Sequence, residues 1–352
     1  MQQLHDPDRR GFASDNYSGV HPAVLEALAT ANGGHQTAYG ADDYTARLQE
    51  VVRGHFGEQA EAFPVFNGTG ANVLSLQSLL PRWGGVVAAA TAHINVDEGG
   101  APERVGGMKL LTVPTPDGKL TPELIDLQAH GFGDEHRAQP LAVSITQSTE
   151  LGTLYTADEI RAIADHAHGL GMLVHLDGAR ISNAAVALGA ELRDFTTDAG
   201  VDIVSLGGTK NGAMGAEAVV TLSERAGEGL VYLRKLNMQL ASKMRFISAQ
   251  LVALYEGELW RENAAHANAM ATRLRAAIEG LPGVSFAYPT QANGVFAGLP
   301  AGVADRVRER FFFYDWDAAG REVRWMCTWD TAEADVDAFA AAVREAVEAS
   351  AA

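Results

Sequence analysis

The sequence predicts an α/β protein with a large, mainly parallel sheet, followed by a smaller α+β unit. Three observations carry this. Short segments that are apolar throughout, such as 85–90, 141–146 and 202–206, recur from about residue 60 onward. Strands of that kind are buried on both faces, as in a parallel sheet covered by helices. Amphipathic segments separate them; the clearest is 157–170, with Ala, Ile and Leu at helical spacing and Gly171 as its stop. After about Leu254 the texture changes to helix, hairpin, helix, strand and helix, the make-up of a smaller α+β unit.

Taken in order, 62–66 reads as a strand broken by Asn67-Gly68-Thr69-Gly70, and 71–80 as the helix that follows. Further strands are expected at 85–90, 110–113, 141–146, 172–176, 202–206 and 218–222, and a helix at 243–254. The second unit should hold a helix at 262–279, strands at 284–288 and 294–299, a helix at 303–310, a strand at 323–326 and a final helix at 332–348. The expected division is therefore an arm plus large domain over 1–254 and a small domain over 255–352. Gly33, Gly34 and Gly40 flank a segment that reads as an irregular arm. There is no internal repeat and no low-complexity linker.

A chain of 352 residues, 47% hydrophobic and 20% charged, can bury a sizeable core. Its 44 acidic against 27 basic residues give a net charge of −17. Such a surface repels phosphate backbones and anionic lipid, which argues against nucleic acid or membrane partners but leaves room for a local basic pocket. The single cysteine, Cys327, can form no intrachain disulfide. Residues 1–10 are polar, and no stretch approaches the roughly 20 apolar residues that span a bilayer. The expectation is a soluble cytoplasmic protein.

Three motifs fall where strands end, which is where an α/β sheet places its sites. Asn67-Gly68-Thr69-Gly70 opens a helix: glycines permit close approach, and free N–H groups at a helix start attract phosphate. It lacks the endings of a nucleotide P-loop or a dinucleotide fingerprint, and many such turns bind nothing. Asp177, in Asp177-Gly178-Ala179-Arg180, could hold the N–H of a pyridinium ring or could simply cap the next helix. Lys210, in Gly207-Gly208-Thr209-Lys210-Asn211-Gly212, could be an exposed loop lysine; beside a positive ring it would lose its proton and become nucleophilic. The three together say more than any one. Acid and lysine stand one strand–helix–strand unit apart on the sheet that also carries the phosphate-type turn.

With these motifs on the page, the chain resembles the threonine aldolase family of pyridoxal-5′-phosphate enzymes, and within it the low-specificity L-threonine and phenylserine aldolases. The resemblance runs from about Phe12 to Asp330. It also rests on Phe12-Ala13-Ser14-Asp15-Asn16-Tyr17-Ser18-Gly19, on Thr91-Ala92-His93 with Asp97-Glu98, on Ser242-Lys243-Met244-Arg245-Phe246 and on Ala292-Asn293-Gly294-Val295-Phe296. It implies an aspartate-aminotransferase-like fold and an assembly into tetramers, as dimers of dimers that share active-site residues.

The resemblance further implies that Lys210 carries pyridoxal phosphate as an imine, that Asp177 pairs with the pyridine nitrogen and that His93 stacks on the ring. Gly68, Thr69 and Gly70, with Thr209, would hold the phosphate, and Arg245 would reach it or that of a neighbouring subunit. Ser14, Arg180 and Arg324 would grip the substrate carboxylate. Locally, His93 could equally be a core histidine, Arg324 could pair with Glu322, and Arg245 could be a surface residue. The implied reaction is cleavage of a β-hydroxy-α-amino acid to glycine and an aldehyde, the β-hydroxyl proton going to His93, Asp97, Glu98 or a water they hold.

Two departures stand out. Many relatives carry a His that contacts the substrate hydroxyl where Gln147-Ser148-Thr149-Glu150 places Glu150, so threo versus erythro preference is left open. Many also read Tyr-Gly-Asp-Asp where this chain has Tyr39-Gly40-Ala41-Asp42. The same cofactor also serves β-elimination and transamination, and a non-catalytic amino-acid sensor is a remote alternative. His166-Ala167-His168 lies on a helix two residues apart, which points the rings to different faces and argues against a metal.

Overall fold

The computed structural model describes residues 2–317 and 319–351. Seven strands form the main sheet: β1 (Glu61–Val65), β2 (Gly84–Ala89), β3 (Lys109–Val113), β4 (Gln139–Thr146), β5 (Leu173–Gly178), β6 (Ile203–Gly207) and β7 (Glu217–Thr221). Their order is β1-β7-β6-β5-β4-β2-β3. Neighbours from β6 through β3 pair in parallel, while β7 runs antiparallel between β6 and β1. Every residue of β2, β5, β6 and β7 is buried, which is why these strands read as unbroken apolar runs; β1 and β3, at the edges, each expose their first residue.

The strand positions follow the sequence to within two residues at either end. The first helix after β1 differs more: it spans Gly68–Leu79 and so takes in the glycine turn. Glycines weaken a helix, but here the Asn67 side chain accepts the Gly70 N–H at 2.7 Å and fixes the first turn. Nearly all of this helix is buried against the sheet, with Asn72 and Ser75 facing it. Helix Ala157–Gly169, between β4 and β5, starts with a reciprocal Thr156–Glu159 capping box. Two helices precede β1, Pro22–Ala31 and Asp43–Phe56, and the segment between them is irregular.

A second, antiparallel sheet holds β8 (Gly294–Gly298), β9 (Asp315–Asp317) and β10 (Glu322–Met326) in the order β8-β10-β9. The strand expected at 284–288 is absent. Ser285 alone bridges Gly298, through two backbone hydrogen bonds, before the chain turns away toward Pro289. In its place β9 lines the other side of β10; three residues reading Asp-Trp-Asp carry too little apolar pattern to be seen in advance. Helices Leu259–Ile278 and Glu333–Ala351 cover this sheet.

Phe12 and Ala13, far away in sequence, belong to the core of this second sheet. Phe12 stacks on Phe339 with ring centroids 4.3 Å apart, and its carbonyl accepts the Met326 N–H at 2.8 Å. The N-terminal arm is thereby pinned to β10 and delivers residues 14–16 to the carboxyl ends of the main strands. Phe12→Ala should cost about 3–5 kcal/mol, the usual range for emptying a buried phenyl site. A thermal melt that did not move would contradict that account.

Candidate active site

Lys210 sits in a single helical turn, Thr209–Asn211, just beyond β6. The turn is clamped from several sides. Glu217 of β7 accepts the Gly208 N–H at 2.8 Å and the Thr209 N–H at 3.3 Å. The Tyr255 hydroxyl donates to the Gly207 carbonyl, and Asn211 and Asn263 exchange hydrogen bonds with the neighbouring backbone. Position 208 must be glycine: a Cβ there would lie 2.5 Å from the Ala216 carbonyl oxygen.

The Lys210 amine has no hydrogen-bond partner among the described residues. Burial, and next the positive charge of Arg180, hold its pKa below the ordinary lysine value, outweighing the pull of Asp15, Asp177 and Glu217. That shift favours the free amine, the form that can attack a carbonyl.

Asp177, next to last in β5, uses one oxygen in a turn and turns the other toward the cleft. One carboxylate oxygen accepts the Ala179 N–H at 3.0 Å, closing the turn into helix Ile181–Leu188. The other accepts from Asn72 Nδ2 at 2.9 Å, and the residue lines the lysine cleft. Asn72 also donates to Glu98 Oε1, at 2.8 Å, and the same oxygen meets His93 Nδ1 at 2.9 Å. One chain of contacts thus runs from His93 through Glu98 and Asn72 to Asp177. The Glu98 bond is the main reason the His93 pKa is raised; burial and Lys210 oppose it, while Asp177 and the Glu98 charge add to it.

Beneath Asp177 on the same face of β5, His175 is fully buried, bracketed by Ser144 Oγ at 2.9 Å and Ser205 Oγ at 3.0 Å. Burial drives its pKa down to about 4, so it is a neutral ring under the site.

At the start of helix Gly68–Leu79 the N–H groups of Gly68 and Thr69 have no acceptor among the described residues, and both residues line the cleft. Gly70 does not join them. Its N–H is already bound to Asn67, and a Cβ there would lie 2.4 Å from the end of the Gln239 side chain, which would have to move.

Beside the lysine cleft lies a small crevice holding Arg180 and Arg324. Arg180 makes a two-pronged pair with Asp15, Nε to Oδ2 at 2.6 Å and Nη2 to Oδ1 at 3.0 Å. Burial alone would lift the Asp15 pKa, but attraction to Arg180 and Lys210 and hydrogen bonds from Arg180 and Asn293 hold it well below the usual carboxylate range. Arg324, on β10, lies with its guanidinium 4.9 Å from the Trp316 ring centre rather than against Glu322. Burial and the nearby Arg180 lower its pKa. Glu150 also lines the crevice, but Arg324 makes no ion pair with any carboxylate among the described residues, so its guanidinium is free to meet an anion.

Three expected residues are not brought to the lysine. Asp97 is exposed outside the cleft, although its charge reaches Arg324, because it follows the one-turn helix His93–Val96 on the outer side. The Ser14 hydroxyl accepts the Asn16 N–H at 3.2 Å within its own turn, and neighbouring Asp15 takes the buried place. Arg245 begins helix Arg245–Tyr255, facing the Gly34 carbonyl at 3.4 Å and the Phe246 ring, away from this chain's cleft. Glu98 does reach the site, but behind His93, with its side chain wholly sealed from solvent.

The lysine cleft, about 300 Å³, is large enough for a substituted pyridine with a phosphate arm. A deprotonation-prone lysine, a buried carboxylate and two free N–H groups at a helix start are the donors such a molecule needs. The comparisons with known proteins agree. The family model described as beta-eliminating lyase matches residues 11–299. A low specificity L-threonine aldolase from a Pseudomonas species is 43% identical over 340 residues, covering 96% of this chain and 98% of that protein. The Pseudomonas aeruginosa protein of the same name is also 43% identical, over 91% of this chain and 93% of its own length. The solved structure of a Leishmania major threonine aldolase is 29% identical and superposes with a TM-score of 0.91 over 96% of this chain and all of that one.

The chain belongs to the threonine aldolases of the beta-eliminating lyase family. It is a pyridoxal-phosphate-dependent lyase with the aspartate-aminotransferase-like fold. In this aldolase framework Asp15, Asn72, Glu150, His175 and Glu217 were not singled out individually as site residues from sequence. Of these, Asp15 and Asn72 lie within stretches that carry the family resemblance, and Glu150 marks a departure from it. His166 and His168 each bond their own carboxylate, Asp126 at 2.7 Å and Asp202 at 2.8 Å, on separate faces of the helix.

The buried His175 has a consequence for acid stability. An unfolded histidine takes up a proton near pH 6.5, but this one resists until about 4, so stability falls as pH drops through that window. The loss can reach about 1.4 kcal/mol for each pH unit. In urea titrations at pH 7 and pH 5, His175→Gln should lose less stability between the two than the parent chain; an equal loss would mean His175 is protonated in the folded state.

Proposed function

We propose that this aldolase cleaves L-β-hydroxy-α-amino acids, threonine, allo-threonine and phenylserine among them, to glycine and the matching aldehyde. The observation that carries the reading is the distance-free fact of placement: a nucleophilic lysine and a guanidinium pair line adjoining clefts, so an amino acid is held at its amine and its carboxylate together. The relatives named above, called low specificity L-threonine aldolases, support the same choice.

Pyridoxal phosphate, bound at Lys210, supplies an electron sink for the substrate's α-carbon. The chain's own residues do the rest. Asp177 would hold the ring nitrogen and favour its protonated form; Gly68 and Thr69 would offer N–H groups to the phosphate, with Thr209 beside them. His93, held by Glu98, would lie against the ring. Arg180 and Arg324 fix the carboxylate, and Asp15 keeps Arg180 aimed. Fixing both ends of the substrate would orient the Cα–Cβ bond for cleavage. Lys210 would hold the cofactor between turnovers.

We further infer a homo-oligomer, a tetramer built from dimers, working in the cytoplasm on small-molecule substrates. Helix Leu230–Leu236 exposes Val231, Tyr232 and Leu236, with Met238, Phe66 and Met214 nearby, an apolar face next to the cleft that a second copy would cover. Arg245 would then serve a neighbour's phosphate. Cys327, the lone cysteine, is buried and free, as suits a reducing compartment. Among the described residues no helix is long and apolar enough to cross a membrane. Sedimentation should give a mass of four chains; a fully active monomer would rule the assembly out.

The chemistry is checked by spectrum and product. The purified protein should show the visible band of lysine-bound pyridoxal, absent in Lys210→Ala, and should release acetaldehyde from threonine and benzaldehyde from phenylserine. A band with ammonia and a keto acid in place of aldehyde would move the reading to β-elimination. No band after incubation with the cofactor would end the Lys210 assignment.

A further inference from the structure

Among the described residues only Arg180 and Glu150 line both the lysine cleft and the arginine crevice. Arg180 is committed to Asp15 and the carboxylate site. Glu150 is not committed. Its Oε1 accepts the His93 N–H at 2.7 Å and the Thr146 hydroxyl at 3.0 Å, while Oε2 is sealed from solvent and has no hydrogen-bond partner. An unpartnered buried carboxylate oxygen is costly unless something else uses it.

The loop that carries Glu150 is held rigidly. Gln147 donates its N–H to the Asp177 carbonyl at 2.9 Å and exchanges side-chain hydrogen bonds with the Tyr155 backbone at 2.8 and 3.0 Å. Thr149 and Thr153 bond each other through both backbone and hydroxyls. The carboxyl therefore stands at a fixed point between the groups that take the substrate's amine and those that take its carboxylate. With both ends held, the β-carbon and its hydroxyl are what remains to be met there.

We propose that Glu150 is the catalytic residue that accepts the proton of the substrate's β-hydroxyl during carbon–carbon cleavage. The inference rests on the β-hydroxy amino acid reading above. In the step, the Glu150 carboxylate turns about its last bond to bring Oε2 to the substrate, the O–H proton passes to it, and the O–H electron pair becomes the second bond of the aldehyde carbonyl. The Cα–Cβ bond breaks, and its pair stays on the α-carbon. The aldehyde departs, and a proton, that one or one exchanged for it with water, ends on the α-carbon of glycine.

The surroundings suit an acceptor. Burial raises the Glu150 pKa and nearby Asp177 adds to this, outweighing the hydrogen bonds from His93 and Thr146. A more basic carboxylate is a better acceptor near neutral pH. His93 is a poorer choice, because its bond to Glu98 favours the protonated ring. The titratable and charged groups around Glu150 are Asp177, Arg180, Arg324, His93 and Tyr155.

Glu150→Gln keeps the shape and the Oε1 acceptor, so the loop should fold unchanged; the thermal melt and the visible cofactor band serve as controls. Phenylserine cleavage should fall in kcat by about 10²–10⁴-fold with little change in KM, and the acid limb of its pH profile should disappear. Exchange of the glycine α-proton in D2O, which needs Lys210 and the cofactor but no β-hydroxyl, should persist. Glu150→Asp, with a shorter carboxyl, should recover part of the cleavage rate. Cleavage by Glu150→Gln at the parental rate would overturn the proposal alone. Equal loss of cleavage and exchange in both variants would also overturn it, leaving Glu150 a support for the site. A parent enzyme that exchanges glycine but releases no aldehyde would remove the aldolase reading and this proposal with it.

Discussion

The buried pair between Asp15 and Arg180 ties the molecule's parts to one another. Asp15 belongs to an arm whose Phe12 and Ala13 lie in the core of the small sheet; Arg180 follows β5 of the large one. Both charges leave water, which is expensive, and the cost is offset only because the geometry is two-pronged and Asn293 adds a second donor to Asp15 Oδ2 at 3.1 Å. The pair joins the two cores beside the crevice that holds Arg324. Arg324 is left there as a second cation with no ion pair of its own among the described residues.

From that joint the electrostatics spread outward. Arg180 lowers the proton affinity of Lys210 and helps hold Asp15 ionised. Asn72 spreads its two N–H groups over Asp177 and Glu98, so two buried carboxylates share one neutral donor instead of repelling across an empty gap. Glu98 in turn keeps His93 oriented. His175 beneath stays neutral, which spares the site a buried positive charge close to Lys210. Each group is tuned by a neighbour on a different strand or helix.

Much of the architecture was legible in the chain because parallel strands buried on both faces must be apolar throughout. β2, β4, β5, β6 and β7 announced themselves that way, and the helix over 157–169 did so by its spacing. Where local pattern and packing part company, the reading failed for physical reasons. Residues 284–288 look strand-like but find only one partner position, at Gly298, while β9 has almost no pattern and exists because β10 offers it an edge. The Gly70 N–H is taken up by Asn67 inside the turn. Ser14 and Asp97 stand beside Asp15 and Glu98, whose side chains are the buried ones, since adjacent side chains point in different directions.

The sequence by itself determined the α/β class, the strand-end placement of Gly68, Thr69, Asp177 and Lys210, and a likeness specific enough to suggest a pyridoxal-phosphate lyase. These are local matters: periodicity, turn chemistry and short motifs are written within a few residues. Only the tertiary structure decided that Asp15 reaches Arg180, that Asn72 links Glu98 to Asp177, that Glu217 clamps the lysine turn and that Glu150 stands between the two clefts. Apart from the Glu217 clamp, which spans eight and nine residues, those contacts join positions tens to hundreds of residues apart, and which side chains meet there depends on how strands order themselves and how the arm packs. No local pattern encodes that.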